Sequence, residues 1–589
     1  MNISWKKIAL AGFSSALLGF LGCGGCPRPQ LGPVLYVRAG ATGLDIGTSW
    51  ADAFTDLQDA LAVAAGDLSV TEIWVAADTY RPAGPNGDRA VAFGLLKSLA
   101  LYGGFAGTET SRNQRDPAAN VTILSGDLNG DDQGFVNNGE NSYSVVGADG
   151  KDLTAVLDGF VIRGGNANQG NRVNGGGLYN QNASPTIVNC TFESNTALVY
   201  GGGVFNYNSS PTFRDCTFAG NTTLGSGGGT LNFNSNPTLV DCTFTNNSAN
   251  SGGAMSNRDN SSPRLTDCTF TDNSATDSGG AVVNNGGAPV FANCQFVSNN
   301  AGMGGAVNTF NAAAPTFANC SFVGNAAQLD GAAMLNSIDV LGGLVGCMFR
   351  DNSAGRSGGG VANNSGSNLT VVNCTFLGNS ASSGGGGLFN FASRPTLMNC
   401  IFSGNSGQLG GAVLNRDHAD ATITNGTFSG NVATFGGGVY NALDSSPVLT
   451  NCILWSNTDS GLSLVDAQIR TDSGTPEVTY SCVQGGWAGA GGTGNIATDP
   501  LFVDADGADG TAGTTDDDLA LQAGSPAIDA GDNDAVPADT LDVDGDGNLT
   551  EPTPTDRAAN PRFADDGAVA DTGNGTAPIV DMGALERQP

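Results

Sequence analysis

Four lysines and one histidine, His418, serve a chain of 589 residues. Arginine does little to redress this: lysine and arginine together number 23 against 55 acidic residues, for a formal net charge of −32. Such a surface excludes nucleic acid as a partner, because phosphate binding needs a basic face. The single histidine leaves Ser–His–Asp or Cys–His chemistry only His418, in the loop-like "NRDHAD". Zinc ligands at their usual spacing are missing. Long apolar runs are scarce too. Past residue 21 no run is long enough to cross a membrane as a helix, and the acidic, Gly-rich C-terminal sequence lacks the alternating segments of a closing outer-membrane barrel. The three- and four-residue apolar spacing of helical repeats is also missing.

The N-terminal sequence reads as an export signal. Lys6 and Lys7 precede the apolar run Ile8 to Leu21, which ends "FLGC". A positive start, a short apolar stretch and small residues suit a cleaved leader over residues 1–22. "FLGC" resembles a bacterial lipobox, with Phe20 where leucine is usual. The resemblance implies lipidation of Cys23. Residues 23–33, including "GGCPRPQLGP", read as a flexible tether.

What the chain has in abundance is repetition. Ten cysteines stand at 190, 216, 242, 268, 294, 320, 347, 374, 400 and 452, in steps of 26 or 27 residues, with Gly426 in the skipped slot. Two residues after each slot stands phenylalanine, from Phe192 to Phe428, and Leu454 last. Five residues after it stands asparagine, from Asn195 to Asn457. A fixed period of this length means stacked units. The segments between corners are short and rich in Thr, Val, Phe and Leu, which are strand signals. One unit reads as strand "PTLV", a corner, strand "CTF", a second corner at the Asn, a loop, then strand "GGGLYN". The expected fold is therefore all-β: a right-handed parallel β-helix with three strands per coil.

The corner before each cysteine slot is always Asn, Asp or Gly, from Asn189 through Asp215, Asp241, Asp267 and Gly346 to Asn451. These residue types enter the left-handed backbone region cheaply. A coil buries about four apolar side chains, worth roughly 6–12 kcal/mol gross. Ordering about 26 residues costs several times that, so a single coil cannot stand alone. The cysteine slot is apolar and tolerates glycine, so the cysteines read as unpaired packing residues, although an exported protein would permit disulfides.

An open solenoid end needs a cover. In "TSWADAFTDLQDALAVAAG", Trp50, Phe54, Leu57 and Leu61 share one helical face and Ser49 with Asp52 resembles a capping pair, so a cap helix is expected over 48–65. "EIWVAA", "SLALYGGF" and "VTILSG" read as the first irregular coils. The expected layout is cap and irregular coils over 34–152, regular β-helix over 153–498, and an acidic terminal domain over 499–589, where acidic residues outnumber basic ones 21 to 3.

Two family resemblances emerge from these phrases. "FTDNSATDSGGA" resembles the repeats of polymorphic outer-membrane proteins, a family of surface adhesins. "LYVRAGATG", "LYGGFAGTETSRNQRDPAANVTILSGDLNGDD", "DPLFVDADG", "LQAGSPAIDAGDN" and "DMGALE" resemble large secreted bacterial β-helix proteins that end in a choice-of-anchor Q domain. The resemblance implies a pectin-lyase-like fold and a surface location, and names no reaction.

Three acidic loops carry oxygen ligands at alternate positions, a pattern that suits calcium. They offer Asp127, Asn129 and Asp131; Asp504, Asp506, Asp509 and Asp516; and Asp542, Asp544, Asp546 and Glu551. The last has Gly547 at position six of an EF-hand-like loop and Thr553 at position twelve, so Glu551 is the expected substitute. For catalysis the candidates are Asp215, Asp241 and Asp267, one slot in three successive coils, with Arg214 and Arg264 nearby to hold an acidic sugar. Because every other repeat fills that slot with Asn or Gly, a structural corner is the simpler reading. The function expected is a calcium-stabilised, lipid-anchored scaffold at the outer membrane or cell surface, binding extracellular carbohydrate or a cell-surface partner. The alternatives are a polysaccharide lyase or hydrolase and a structural surface-layer protein.

Overall fold

The computed structural model describes residues 31–461 and 463–588. The leader, Cys23 and most of the tether lie outside them. The chain divides into two compact units. One comprises Met1–Leu198 with Gly202–Thr217, the other Val199–Gly201 with Phe218–Pro589. Each is built of short parallel strands that pair from coil to coil.

In the second unit the coil beginning at Thr238 shows the plan. Thr238–Val240 is followed by Thr243–Thr245, Ser248–Ser251 and Met255–Arg258. Each strand pairs in parallel with its counterpart one coil later, as Leu239 with Leu265 and Phe244 with Phe270. A coil thus has four strands where three were expected. The extra one, Ser248–Ser251, falls in the expected loop and pairs with Ser274–Ser278. Such segments are two to five residues, mostly Ser, Thr, Ala, Asn and Gly, with large apolar side chains only in Ser406–Leu409 and Val432–Phe435, so composition does not reveal them.

The corners behave as their residue types require. The residue before the cysteine slot has positive φ in all eleven coils, from Asn189 (50°) through Gly346 (63°) to Asn451 (56°). Inside the turn, phenylalanine rings stack at the coil spacing. From Phe218 to Phe428 successive centroids lie 4.4–5.0 Å apart with interplanar angles of 9° or less. The 4.7–4.9 Å strand spacing imposes this face-to-face arrangement. The ten slot cysteines and Cys482 are buried and form no disulfide. Two rows of buried asparagine run beside them. Asn221, Asn247 and Asn273 pass an Nδ2–H to the next Oδ1 at 3.0 Å each. On the fourth strand Asn363, Asn390 and Asn415 do the same at 2.9–3.0 Å. Gln468, in the short helix Leu464–Gln468, closes the first row by accepting from Asn457 at 2.7 Å.

In the first unit, Glu72–Ala76 and Ala100–Phe105 pair with Val34–Val37 and Val156–Asp158. Thr122–Ser125 pairs with Phe160–Arg163. The stretches "EIWVAA", "SLALYGGF" and "VTILSG" each contain one of these strands. The helix is shorter than expected. It spans Leu57–Gly66, with Asp56 as N-cap, and buries Leu57, Ala60, Leu61 and Ala64. Residues 48–56 are extended or turning because Phe54 joins the sheet: its N–H donates to Tyr36 O at 2.9 Å and its carbonyl accepts from Arg38 at 2.8 Å. Ser49 and Asp52 bond reciprocally, but in a turn. Trp50 packs on Tyr36 and Phe105.

The acidic C-terminal segment lies on the outer face of the coils from about residue 372 to 482. Val536 and Val580 pack on Val372 and Met398. Ile528, Ala530 and Met582 pack on Ile453 and Cys482. Corner and strand side chains tie it down. Asn451 Nδ2 donates to Asp532 O at 2.9 Å, and Arg557 Nε donates to Thr375 Oγ1 at 2.6 Å.

Candidate functional site

The catalytic candidates are corner residues. Asp215, Asp241 and Asp267 sit at φ of 52°, 53° and 54° with exposed side chains. That is the place a bend assigns to Asp, Asn or Gly alike. His418 is an exposed turn residue at φ 56°.

The acidic loops differ in what they bring together. Asp542, Asp544 and Asp546 offer oxygens within 4.8 Å of one another, and Asp544 joins Asp539 and Glu551 in a second trio. Gly547, at φ 83°, turns the loop so that its N–H reaches Asp542 Oδ1 at 3.0 Å. Asp539 is almost wholly buried; its Oδ2 accepts from Val543 N at 2.8 Å and its Oδ1 has no hydrogen-bond partner. Glu551 Oε1 is also unpartnered. Burial, reinforced by the charges of Asp544 and Asp542, pushes the Asp539 carboxyl up. Thr553 is turned away, its hydroxyl donating to Pro537 O at 3.0 Å. Glu551 therefore holds the position facing the loop. Asp539 was invisible to spacing because it precedes the alternating run.

In the first unit Asp127, Asp131 and Asp132 gather with Glu140. Asp132 Oδ1 and Glu140 Oε1 are buried without partners. Asn129 Oδ1 accepts from Asn86 N at 2.9 Å. Glu140 comes from a separate 3-10 turn, which is why local spacing missed it. The 504–518 loop converges less. Asp504 stands across from Asp518 on an antiparallel pair. Asp516 accepts from Asp509 N at 3.3 Å and from Thr514, and Asp517 accepts from Ser403 Oγ at 2.7 Å. Among the described residues no three of Asp504, Asp506, Asp509 and Asp516 meet as a metal-holding cluster.

A cleft of about 650 Å3 opens in the first unit between the 106–121 loop and the first strand row. The loop is fixed from within: Glu109 accepts from the N–H groups of Ala106, Gly107 and Thr108 at 2.6–3.0 Å. Gly104, at φ 92°, lets Pro117 approach so closely that an added Cβ would lie 2.7 Å from it. Tyr102 forms part of the lining, and the guanidinium carbons of Arg112 and Arg115 lie 4.6 and 5.2 Å from its ring centroid. Arg115 is committed to Asp158 at 2.6 Å and to Gly103 O at 3.1 Å. Arg112 uses only Nη1, toward Glu72 Oε1 and Tyr102 Oη, both at 2.9 Å. Its Nε and Nη2 face no protein acceptor among the described residues. Asn113, Asp116 and Asn189 complete a hydrogen-bonding rim. Sequence reasoning missed this site because the loop's basic residues are separated from Tyr102, Asp158 and Asn189 along the chain.

The family match agrees with the fold. Residues 158–322 match the family described as right handed beta helix region. No curated protein matches the chain. Among solved structures, a pectate lyase, Pel9A, aligns with 14% identity over 94% of this chain and 96% of its own, at a TM-score of 0.24. The A-module of a mannuronan C-5 epimerase, AlgE4, from Azotobacter vinelandii aligns with 12% identity over 79% of this chain and 100% of its own, at a TM-score of 0.26. The protein is an all-β, right-handed parallel β-helix.

Proposed function

We propose that this protein is a calcium-stabilised, surface-anchored β-helix scaffold that binds acidic extracellular carbohydrate at the Arg112–Tyr102 cleft. The observation that carries the reading is the uncommitted Nε/Nη2 edge of Arg112 beside an aromatic ring. A guanidinium edge matches a carboxylate in two parallel hydrogen bonds. The guanidinium lies over the Tyr102 ring, which holds that edge in place. Asn113 and Asn189 add groups that suit hydroxyls. The acidic remainder of the surface would repel a polyanion, so binding would concentrate here, and added salt or calcium would favour it.

The acidic loops support the calcium part: Asp539, Asp542, Asp544, Asp546 and Glu551 would hold one centre and Asp127, Asp131, Asp132 and Glu140 another. A bound cation would answer the unpartnered oxygens of Asp539, Glu551, Asp132 and Glu140. Anchoring rests on "FLGC" and the Gly/Pro tether, with Cys23 as the lipidated residue, and the choice-of-anchor Q resemblance belongs to the same reading. The scaffold reading, against a lyase or hydrolase, is supported by the corner positions of Asp215, Asp241 and Asp267. The test is affinity for polyuronates and neutral glycans, with turnover measured on the same panel. Arg112→Ala should weaken uronate binding at least about tenfold, the loss of one charge-assisted pair, and leave the melting temperature within a few degrees. Unchanged affinity refutes the cleft, and product release by the parent protein refutes the scaffold.

A further inference from the structure

A third acidic cluster lies in the C-terminal segment, outside the alternating loops. Asp529 sits in "GSPAIDAGDN" at φ 49°. Its side chain is fully buried and neither carboxylate oxygen accepts a hydrogen bond among the described residues. Its backbone is well held: the N–H donates to Asp581 Oδ1 at 2.8 Å, and the carbonyl accepts from Thr572 and Gly573 at 2.9 and 3.1 Å. Asp565 and Asp571, both exposed, each bring an oxygen so that all three acids lie within 4.8 Å of one another. The neighbouring cations are engaged elsewhere. Arg562 donates to Asp581 O and Gly583 O at 2.8 Å each and pairs with Glu586 at 3.6 Å. Arg587 pairs with Asp566.

A buried carboxylate with no partner is costly, and two more carboxylates aimed at it make it more so. One divalent cation removes both costs. Two oxygens on opposite sides of a calcium ion, at 2.3–2.6 Å each, stand up to about 5 Å apart. We propose that Asp529, Asp565 and Asp571 form a divalent cation site, with calcium the ligand its three hard carboxylates select. The ion would bridge the 565–571 stretch to the turn at Asp529, three residues before Asp532, whose N–H donates to corner Asn451 at 2.7 Å. The site would therefore fasten the C-terminal segment to the solenoid. This inference is independent of the carbohydrate reading.

Equilibrium dialysis of the full chain against calcium, with metal counted by mass spectrometry, tests it. Asp529→Asn keeps the shape and removes the charge. It should lower bound calcium by one ion per chain, whereas Asp542→Ala with Asp544→Ala should leave that ion in place. Because Asp529 is buried, the exposed pair Asp565→Ala and Asp571→Ala serves as a second variant. It should weaken calcium binding at this site at least tenfold without lowering the calcium-free melting temperature, because it also removes the repulsion with Asp529. Undiminished stoichiometry in Asp529→Asn, or full affinity in the exposed double variant, overturns the proposal.

Discussion

Replacing Asn325 by alanine probes the interior of the solenoid. Asn325 is fully buried. Its Nδ2 donates to Phe296 O and to Asn352 Oδ1, both at 2.9 Å. Its Oδ1 accepts from Asn299 N at 2.9 Å and from Asn299 Nδ2 at 3.0 Å. The side chain thus fills its full capacity of two donors and two lone pairs. Truncation leaves Asn299 N–H and one Asn299 Nδ2–H without partners, while the Phe296 carbonyl keeps its place in the strand ladder. Two orphaned groups at about 1–3 kcal/mol each give a loss of roughly 2–6 kcal/mol, and water entering the vacated space would hold it near the lower half. The exposed Asn250, which donates to Thr276 Oγ1 at 3.0 Å, is the control, with an expected loss under about 1 kcal/mol. Urea unfolding followed by far-UV circular dichroism measures both, with the slope checked because repeat arrays need not unfold in one step. Equal losses for the two variants, or less than about 1 kcal/mol for Asn325→Ala, would refute the claim that the asparagine row supports the fold.

Four further outcomes are expected. Added calcium should raise the melting temperature and chelator lower it, by mass action on the folded state, and Asp542→Ala with Asp544→Ala should blunt the response. Ellman's reagent should find none of the eleven described cysteines until the chain unfolds, since they are buried and burial pushes thiols such as Cys452 up to about 12. Burial pushes the Glu586 carboxyl up to about 9, from an ordinary value near 4.5. The folded state then binds more protons than the unfolded one between those values, so this group makes stability fall as pH rises from 4.5 to 9, and Glu586→Gln should flatten that fall. Cys23→Ser should abolish lipid labelling and release the protein from the membrane fraction; unaltered labelling would refute the lipidation assignment.

The corners and the inward rows were legible because the physics behind them is local and repeated. Only Asn, Asp and Gly tolerate the left-handed bend cheaply, and the same bend recurs in eleven coils, so one pattern reports it eleven times. The third strand was illegible because Ser248–Ser251 and most of its counterparts are small and polar, held by the coils on either side and not by their own propensity. The second asparagine row was obscured by a varying step and by Thr309, which replaces asparagine between Asn284 and Asn336. Trp50 misled: its spacing with Phe54 and Leu57 looked helical, yet an aromatic cluster with Tyr36 and Phe105 claims it. Of the acidic clusters, that of Asp542, Asp544 and Asp546 was readable because its members alternate within one loop. Asp539, Glu140 and the Asp529 cluster were not, since folding alone brings them to their partners. The docking of the acidic segment on Val372 and Met398 left no trace in sequence, since earlier coils carry Val188, Val240 and Val345 in the same slot.

The central claim is a scaffold that holds acidic carbohydrate without transforming it. Isothermal titration of the calcium-loaded protein with a defined uronate oligomer, followed by mass analysis of the recovered oligomer, tests it most directly. The account predicts saturable binding in the parent, at least tenfold weaker binding in Arg112→Ala, and an oligomer recovered unchanged in length and mass. Shortened or unsaturated product, or equal binding by both proteins, would contradict it.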